Sequence, residues 1–253
     1  MRSNKPHVER VVDIAHQAGE RCMDYYQTSL SVSLKSDDSP VTLADQAAHD
    51  LIESALASQG LPVVSEEGQH GSQAERYWLV DPLDGTRSFI AGSPEFTVNI
   101  ALIDQGRPVW GVVHAPALKK TWFGGVGHPS QMRGSGQSER IRVSPPQMPL
   151  RVMASKNHSN PETQAFITGL GAVDHVAAGS SLKFCYIAQG LADVYPRLGP
   201  CCEWDTAAGE AVLIGAGGSV CDFQGNPLAY GKADVLNPHF IASGQRDPRD
   251  YLP

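Results

Sequence analysis

The chain has 253 residues, 41% hydrophobic and 19% charged, long enough for a large core in one domain or in two closely joined halves. Its formal net charge of -7 lacks the basic excess of a duplex-binding protein, so nucleic acid is excluded as a partner. A small phosphorylated molecule is not excluded, because bound metal ions reverse the local field. The five cysteines form no CxxC pair, and the neighbours Cys201 and Cys202 read as small residues of a reduced, cytoplasmic protein. Met1 to Pro6 opens no apolar signal segment, and no apolar run approaches the ~20 residues of a membrane span. The expected location is the cytoplasm, at most peripheral to the inner membrane.

In chain order, Val8, Val11, Val12, Ala15, Ala18, Cys22, Met23 and Tyr26 recur at helical spacing and predict a first helix. A polar loop from Ser33 to Pro40 follows. Thr42 caps a second helix with Leu43, Ala47, Leu51, Ala55 and Leu56 on its apolar side and Asp45 in its first turn. Pro62 to Val64 reads as a strand ending at Glu66, and Tyr77 to Val80 as a strand ending at Asp81. Phe96 to Ile103, Pro108 to Ala115 and Thr121 to Phe123 read as an antiparallel meander. Gly124 to Ser138 reads as a loop and Ile141 to Val143 as an edge strand. Pro145, Pro146 and Pro149 mark the best boundary, between an N-terminal half, 1–146, and a C-terminal half, 147–253. In the second half strands at 151–155, 173–177, 192–195 and 219–222 alternate with helices at 161–170, about 181–190 and 206–215, as in an α/β layered domain. Asn160 caps the first of these helices and Ser180 or Ser181 the second.

Five carboxylates sit at the ends of elements: Asp45, Glu66, Asp81, Asp84 and Asp205. Singly, each reads as a turn or cap residue: Asp84-Gly85 is a common turn pair, Asp45 a helix-dipole contact and Asp205 an N-cap. Together, with no histidine or cysteine among them, they form an oxygen-only set that suits magnesium rather than zinc. Two such ions form a clamp for in-line displacement at phosphorus. The nine histidines show no metal spacing, and His70 and His114 have no partner in sequence.

Three segments carry a resemblance: Ser65-Glu66-Glu67-Gly68, Asp81-Pro82-Leu83-Asp84-Gly85-Thr86 and Trp204-Asp205-Thr206-Ala207-Ala208-Gly209. They resemble the signature of the lithium-sensitive, magnesium-dependent inositol monophosphatase superfamily, from about Ser39 to Asn237. The segments 39–45, 179–185 and 195–200, with Leu236-Asn237-Pro238, are similar to its bacterial 3'(2'),5'-bisphosphate nucleotidase branch. The resemblance implies a layered α-β-α-β-α sandwich, of α/β (α+β) class, with its site at the junction of the halves. It implies hydrolysis of adenosine 3',5'-bisphosphate to AMP and phosphate.

By the same resemblance, Glu66, Asp81 and the Leu83 carbonyl hold one magnesium ion. Asp81, Asp84 and Asp205 hold a second, and Glu66 reaches a third through water. Thr86 orients the attacking water and Asp45 accepts from the Thr86 hydroxyl, while the N–H groups of Gly85 and Thr86 cradle the phosphate. Gly179, Ser180, Ser181, Lys183 and Arg197 are the expected substrate contacts. The bare residues also allow Lys183 as a solvated lysine, Arg197 as a salt-bridge partner and Glu67 as a side chain pointing away from the site. Arg87-Ser88 departs from the Lys-Glu expected after the threonine. An inositol-phosphate or sugar-phosphate monoesterase shares the metal site, and a silent phosphate- or metal-sensing module is the reading from another class. Monomer and homodimer are both compatible with the resemblance.

Overall fold

The computed structural model describes residues 8–28, 32–34, 40–68, 74–154 and 160–252. The expectations that fall on Met1 to Pro6, Ser39, His70 and Ser155 lie outside these residues. Helix α1, Val8–Tyr25, precedes a short antiparallel pair, β1 (Val32–Leu34) with β2 (Pro40–Thr42). The polar loop predicted from Ser33 thus overlaps a strand at each end. Helix α2, Leu43–Ala57, leads into a seven-stranded sheet: β3 (Val63–Ser65), β4 (Arg76–Asp84), β5 (Thr97–Asp104), β6 (Arg107–Ala115), β7 (Lys120–Gly125), β8 (His128–Arg133) and β9 (Ser138–Arg140). The five-residue helix α3, Thr86–Ile90, lies between β4 and β5.

A second sheet is built from β10 (Leu150–Ala154), β11 (Val173–Ala177), β12 (Val194–Arg197), β13 (Ser219–Asp222) and β14 (Phe240–Ser243), in the order β11-β10-β12-β14-β13. Its helices are α4 (Pro161–Gly169), α5 (Leu182–Ala188) and α6 (Glu203–Gly215). The layers run α1 and α2, the seven-stranded sheet, α5 and α6, the five-stranded sheet, then α4. This is the layered α-β-α-β-α sandwich. The largest core cluster draws on both sheets, joining Tyr77, Ala101 and Trp122 to Phe184, Ala207 and Phe240. No helix among the described residues is long and apolar enough to cross a membrane.

Three local readings change. The buried side of α2 carries Ala44, Asp45, Ala48, His49, Ile52 and Leu56, while Leu43 is 59% exposed. Two polar side chains are drawn inward there, so the apolar residues alone misplace the face. The loop expected at 124–138 contains β8. Gly124 is required by contact rather than by a turn, since a Cβ there would lie 2.6 Å from the Ser130 Cα on the neighbouring strand. The expected edge strand at 141–143 is replaced by β9 three residues earlier, although Ile141 N–H still donates to the Ser130 carbonyl at 2.9 Å. Strand β14, which the alternation did not reveal, fills the space between β12 and β13.

Candidate active site

The site forms where β3 and β4 end and where α2, α5 and α6 begin. Strands β3 and β4 are parallel, with Ser65 opposite Val80, and the Glu66 N–H continues the ladder to the Val80 carbonyl at 3.1 Å. Glu66 and Asp81 therefore leave the sheet side by side at its carboxyl ends, where ligand sites of α/β sheets collect.

Asp81 and Asp84 are three residues apart, which on a regular strand points them to opposite faces. A bulge corrects this. Asp81 pairs with Asn99 and Asp84 with Thr97, so three steps on β4 match two on β5 and both carboxylates reach the same face. Pro82 fits a bulge because it has no N–H to give the ladder. Gly85 follows at φ 91°, a left-handed conformation that favours glycine, and turns the chain into α3.

Each aspartate of the centre has one oxygen fixed by a backbone N–H. Asp81 Oδ1 accepts from Leu83 at 3.0 Å, and Asp84 Oδ2 from Ser181 at 2.7 Å. At the third position of α2, Asp45 Oδ2 accepts from Thr42 at 2.8 Å. At the third position of α6, Asp205 Oδ2 accepts from Cys202 at 2.8 Å. In both helices the carboxylate closes back on the cap residue, an arrangement worth about 1 kcal/mol to a helix start. Asp205 is thus not the cap itself; that position belongs to Cys202.

Carboxylate oxygens of Glu66, Asp81 and Asp205 converge within 4.8 Å of one another. Asp81 is 1% exposed, and its Oδ2 is buried without a hydrogen-bond partner. Burial, then the charges of Glu66, Asp84, Asp205 and Asp45, hold the Asp81 carboxyl well above its ordinary range. Burial and the Asp84 charge push Asp205 up to about 6. An orphaned buried oxygen amid converging carboxylates fits a hard divalent cation, which removes both the repulsion and the missing partner.

Thr86 lies beside this cluster. Its hydroxyl is 3.1 Å from both Asp45 Oδ1 and the Leu83 carbonyl. Burial raises the Asp45 pKa, against the opposing hydrogen bonds from Thr42. Glu67 is half-buried and its charge acts on Asp45. Arg87 is exposed on α3, and the Ser88 carbonyl accepts from Ser93 N–H at 2.9 Å.

The expected substrate residues divide. Gly179 N–H donates to Glu95 Oε2 at 3.0 Å, while Ser180 and Ser181 direct their groups at Asp84. Lys183 is no solvated lysine. It is 5% exposed, its Nζ donates to the Ser180 carbonyl at 2.6 Å, and it lies 5.3 Å from the Tyr195 ring. Burial lowers its pKa to about 8. Arg197 donates to the Pro200 carbonyl at 2.6 Å, its Nε is buried without a hydrogen-bond partner, and among the described residues it forms no salt bridge. His114 lies away from the carboxylates, sharing the Thr121 hydroxyl with His16 at 2.9 and 2.8 Å. The cysteines are unpaired among the described residues, and the Cys201 thiol donates to the Cys202 carbonyl at 3.9 Å.

Sequence reasoning missed Thr97 and Asn99, which reach Asp84 from β5. Their signal is a threonine and an amide on one face of an otherwise apolar strand. It also missed the support of α6: Asn237 donates to Thr206 Oγ1 and to the Cys202 carbonyl, each at 2.9 Å, and Glu203 pairs with Lys232 at 2.5 Å.

The model of the Inositol monophosphatase family matches residues 4–249. The chain belongs to the inositol monophosphatase family. The 3'(2'),5'-bisphosphate nucleotidase CysQ of Salmonella typhimurium is 43% identical over 242 residues, covering 92% of this chain and 98% of that protein. The protein of the same name from Escherichia coli K12 is also 43% identical, over 245 residues, covering 93% and 99%. Among solved structures, CysQ from Bacteroides thetaiotaomicron, a bacterial member of the family, superposes with a TM-score of 0.84 at 37% identity, covering 94% of this chain and 97% of that one. An IMPase of Thermotoga maritima superposes at 0.82 with 27% identity, covering 98% and 96%.

Proposed function

We propose that this protein is a magnesium-dependent 3'(2'),5'-bisphosphate nucleotidase that hydrolyses adenosine 3',5'-bisphosphate to AMP and phosphate. The observation that carries the reading is the 43% identity to nucleotidases over nearly the whole chain, with the carboxylate centre intact. Glu66, Asp81 and the Leu83 carbonyl would hold one magnesium ion, and Asp81, Asp84 and Asp205 a second. Glu66 would reach a third through water. When bound, the ions supply Lewis-acid charge that makes water a competent nucleophile near neutral pH and offsets negative charge on the leaving oxygen.

The chain's own groups do the rest. Thr86 has one hydroxyl proton and lies within reach of Asp45 Oδ1. It donates there, so its lone pairs accept from the attacking water and fix that water's orientation. Asp45 is the base behind it: burial raises its proton affinity, and the proton lost by water moves toward Oδ1. A new P–O bond forms to the water oxygen and the bond to the 3'-oxygen breaks; that oxygen takes a proton from solvent to become the alcohol of AMP, and Asp45 returns its proton to solvent. The Gly85 and Thr86 N–H groups would hold the transferred phosphate. Lys183 and Arg197, cationic side chains beside the site, would take the second phosphate that a bisphosphate carries.

Phosphate release with magnesium tests this, with adenosine 3',5'-bisphosphate and inositol 1-phosphate compared at equal micromolar concentrations. The expected result is a strong preference for the nucleotide. A preference for the inositol ester would keep the centre and overturn the substrate assignment. Magnesium binding without turnover on either substrate would overturn the enzymatic reading.

A further inference from the structure

The turn before α5 is strained in a way the substrate-contact reading leaves unexplained. Ser180 is a non-glycine residue at φ 57°, a left-handed backbone that a serine adopts at a cost. In that conformation its hydroxyl lies 2.7 Å from Asp84 Oδ2, and the next residue, Ser181, gives its N–H to the same oxygen at 2.7 Å. Lys183 Nζ holds the Ser180 carbonyl from the other side at 2.6 Å.

Hydroxyl protons can be followed one by one, since each donates once. Thr97 Oγ1 and Ser180 Oγ are 2.6 Å apart, and the Ser180 proton is directed at Asp84, so Thr97 donates to Ser180. Asn99 Nδ2 has two protons, which reach Asp84 Oδ2 at 3.3 Å and Ser181 Oγ at 2.9 Å. The Ser181 hydroxyl then donates to the Asp205 carbonyl at 2.7 Å. Two ordered chains thus start on β5, pass through the Ser180-Ser181 turn and end on Asp84 and on the backbone of Asp205. The donors that do reach the Asp84 carboxylate, from Asn99, Ser180 and the Ser181 N–H, all fall on Oδ2. Among the described residues nothing donates to Asp84 Oδ1.

We propose that Thr97, Asn99, Ser180 and Ser181 are positioning residues: they tie down Asp84 Oδ2 and so present Oδ1 alone to a divalent cation. The inference rests on the assignment of Asp84 as a metal ligand. It assigns the seryl hydroxyls to the cation rather than to the nucleotide. A carboxylate oxygen held by several donors stays in one rotamer, so cation binding costs less reorganisation; loss of such outer partners typically weakens metal affinity 10- to 100-fold.

The test is Mn2+ binding to the full chain without substrate, read from the free-ion electron paramagnetic resonance signal, together with KM for adenosine 3',5'-bisphosphate at saturating metal. Ser180→Gly keeps the left-handed turn and removes the hydroxymethyl group that carries the donor. Thr97→Val acts from a position that is 0% exposed and cannot touch substrate. Ser180→Gly should weaken Mn2+ about 10-fold or more. Thr97→Val should weaken it in the same direction, Thr97→Ser should restore it, and KM should change little in all three. Circular dichroism and melting in EDTA confirm the fold of each variant. Unchanged Mn2+ affinity in Ser180→Gly, or a raised KM with normal Mn2+ binding, overturns the inference. Asp84→Asn separates the two levels. If it binds Mn2+ like wild type, the ligand assignment itself fails. If it loses binding while the serine and threonine variants do not, only the positioning role fails.

Discussion

Asp81→Asn distinguishes a cation centre from a cluster of structural turn residues. Asp81 is buried among Glu66, Asp84, Asp205 and Asp45, and its Oδ2 has no donor. An asparagine keeps the carbonyl oxygen that accepts from Leu83 N–H. It also places an amide N–H where Oδ2 now faces the other carboxylates, turning repulsion into donation. Leaving a buried charged acceptor unpaired costs at least about 1–3 kcal/mol, so the metal-free variant should be more stable than wild type by about that amount. For a chain of this size 1 kcal/mol moves Tm by about 2–4 °C, so the variant should melt about 2–12 °C higher in EDTA. Magnesium reverses the ranking. At 100 times its Kd a cation stabilises wild type by about 2.7 kcal/mol, a Tm rise of about 5–11 °C, and most of that shift should vanish in the variant. Differential scanning calorimetry with EDTA and with magnesium gives all four values. A variant that melts below wild type in EDTA and keeps the full magnesium shift refutes the reasoning, because Asp81 would then be a structural acceptor and not a ligand.

Thr86→Ala should lower kcat about 100-fold with little change in KM, and Asp45→Asn with it should do little further harm, since the two act on one proton; steady-state kinetics of the single and double variants decide this. Glu210 on α6 is 0% exposed, and burial raises its pKa to about 7 despite the Tyr230 hydroxyl at 2.5 Å. Folded Glu210 therefore keeps a proton that the unfolded chain loses from about pH 4.5, so stability falls as pH rises to about 7, by about 3 kcal/mol in all. Urea titrations at pH 5 and pH 8 should show that fall in wild type and a smaller one in Glu210→Gln. Lithium at millimolar concentration should inhibit phosphate release at saturating magnesium, as family membership implies, and full activity there would count against the second cation position.

The helices, the meander and the five carboxylates were legible because local rules set them. Thr42 and Asn160 are side-chain caps, the helical repeat of α1 runs through the buried Val11, Val12, Ala15, Ala18 and Cys22 although Met23 is exposed and Tyr26 lies past the helix end, and strands β4 to β6 are runs of apolar and β-branched residues. What escaped depends on partners distant in sequence. Gly124 resembles a loop residue until Ser130 is seen against it. Strand β14 is short and follows a long irregular stretch, and only β12 and β13 on either side make it a central strand. The serines at 180 and 181 look like substrate donors because a serine pair before a helix is a common anion site; Asp84, almost a hundred residues earlier, claims the Ser180 hydroxyl and the Ser181 N–H.

The spacing of the Asp81-Pro82-Leu83-Asp84 motif follows from the fold. An even spacing on a regular strand would put two aspartates on one face without a bulge, but the ladder would then engage the carbonyl of the intervening residue. The observed spacing of three needs the extra residue, and that residue brings three things at once. It returns Asp84 to the face of Asp81, opposite Thr97 and Asn99. It aims the Leu83 N–H at Asp81 Oδ1. It leaves the Leu83 carbonyl outside the ladder, 3.1 Å from the Thr86 hydroxyl. Deleting Leu83 would restore a regular strand with Asp84 still on the face of Asp81, but it would remove the N–H that Asp81 Oδ1 accepts and the carbonyl beside Thr86. Asp45 and Asp205 reach the same point from helix starts, each with its outer oxygen on a cap N–H. Backbone amides thus fix the orientation of all four aspartates, which is why short, separated motifs are enough to specify the centre.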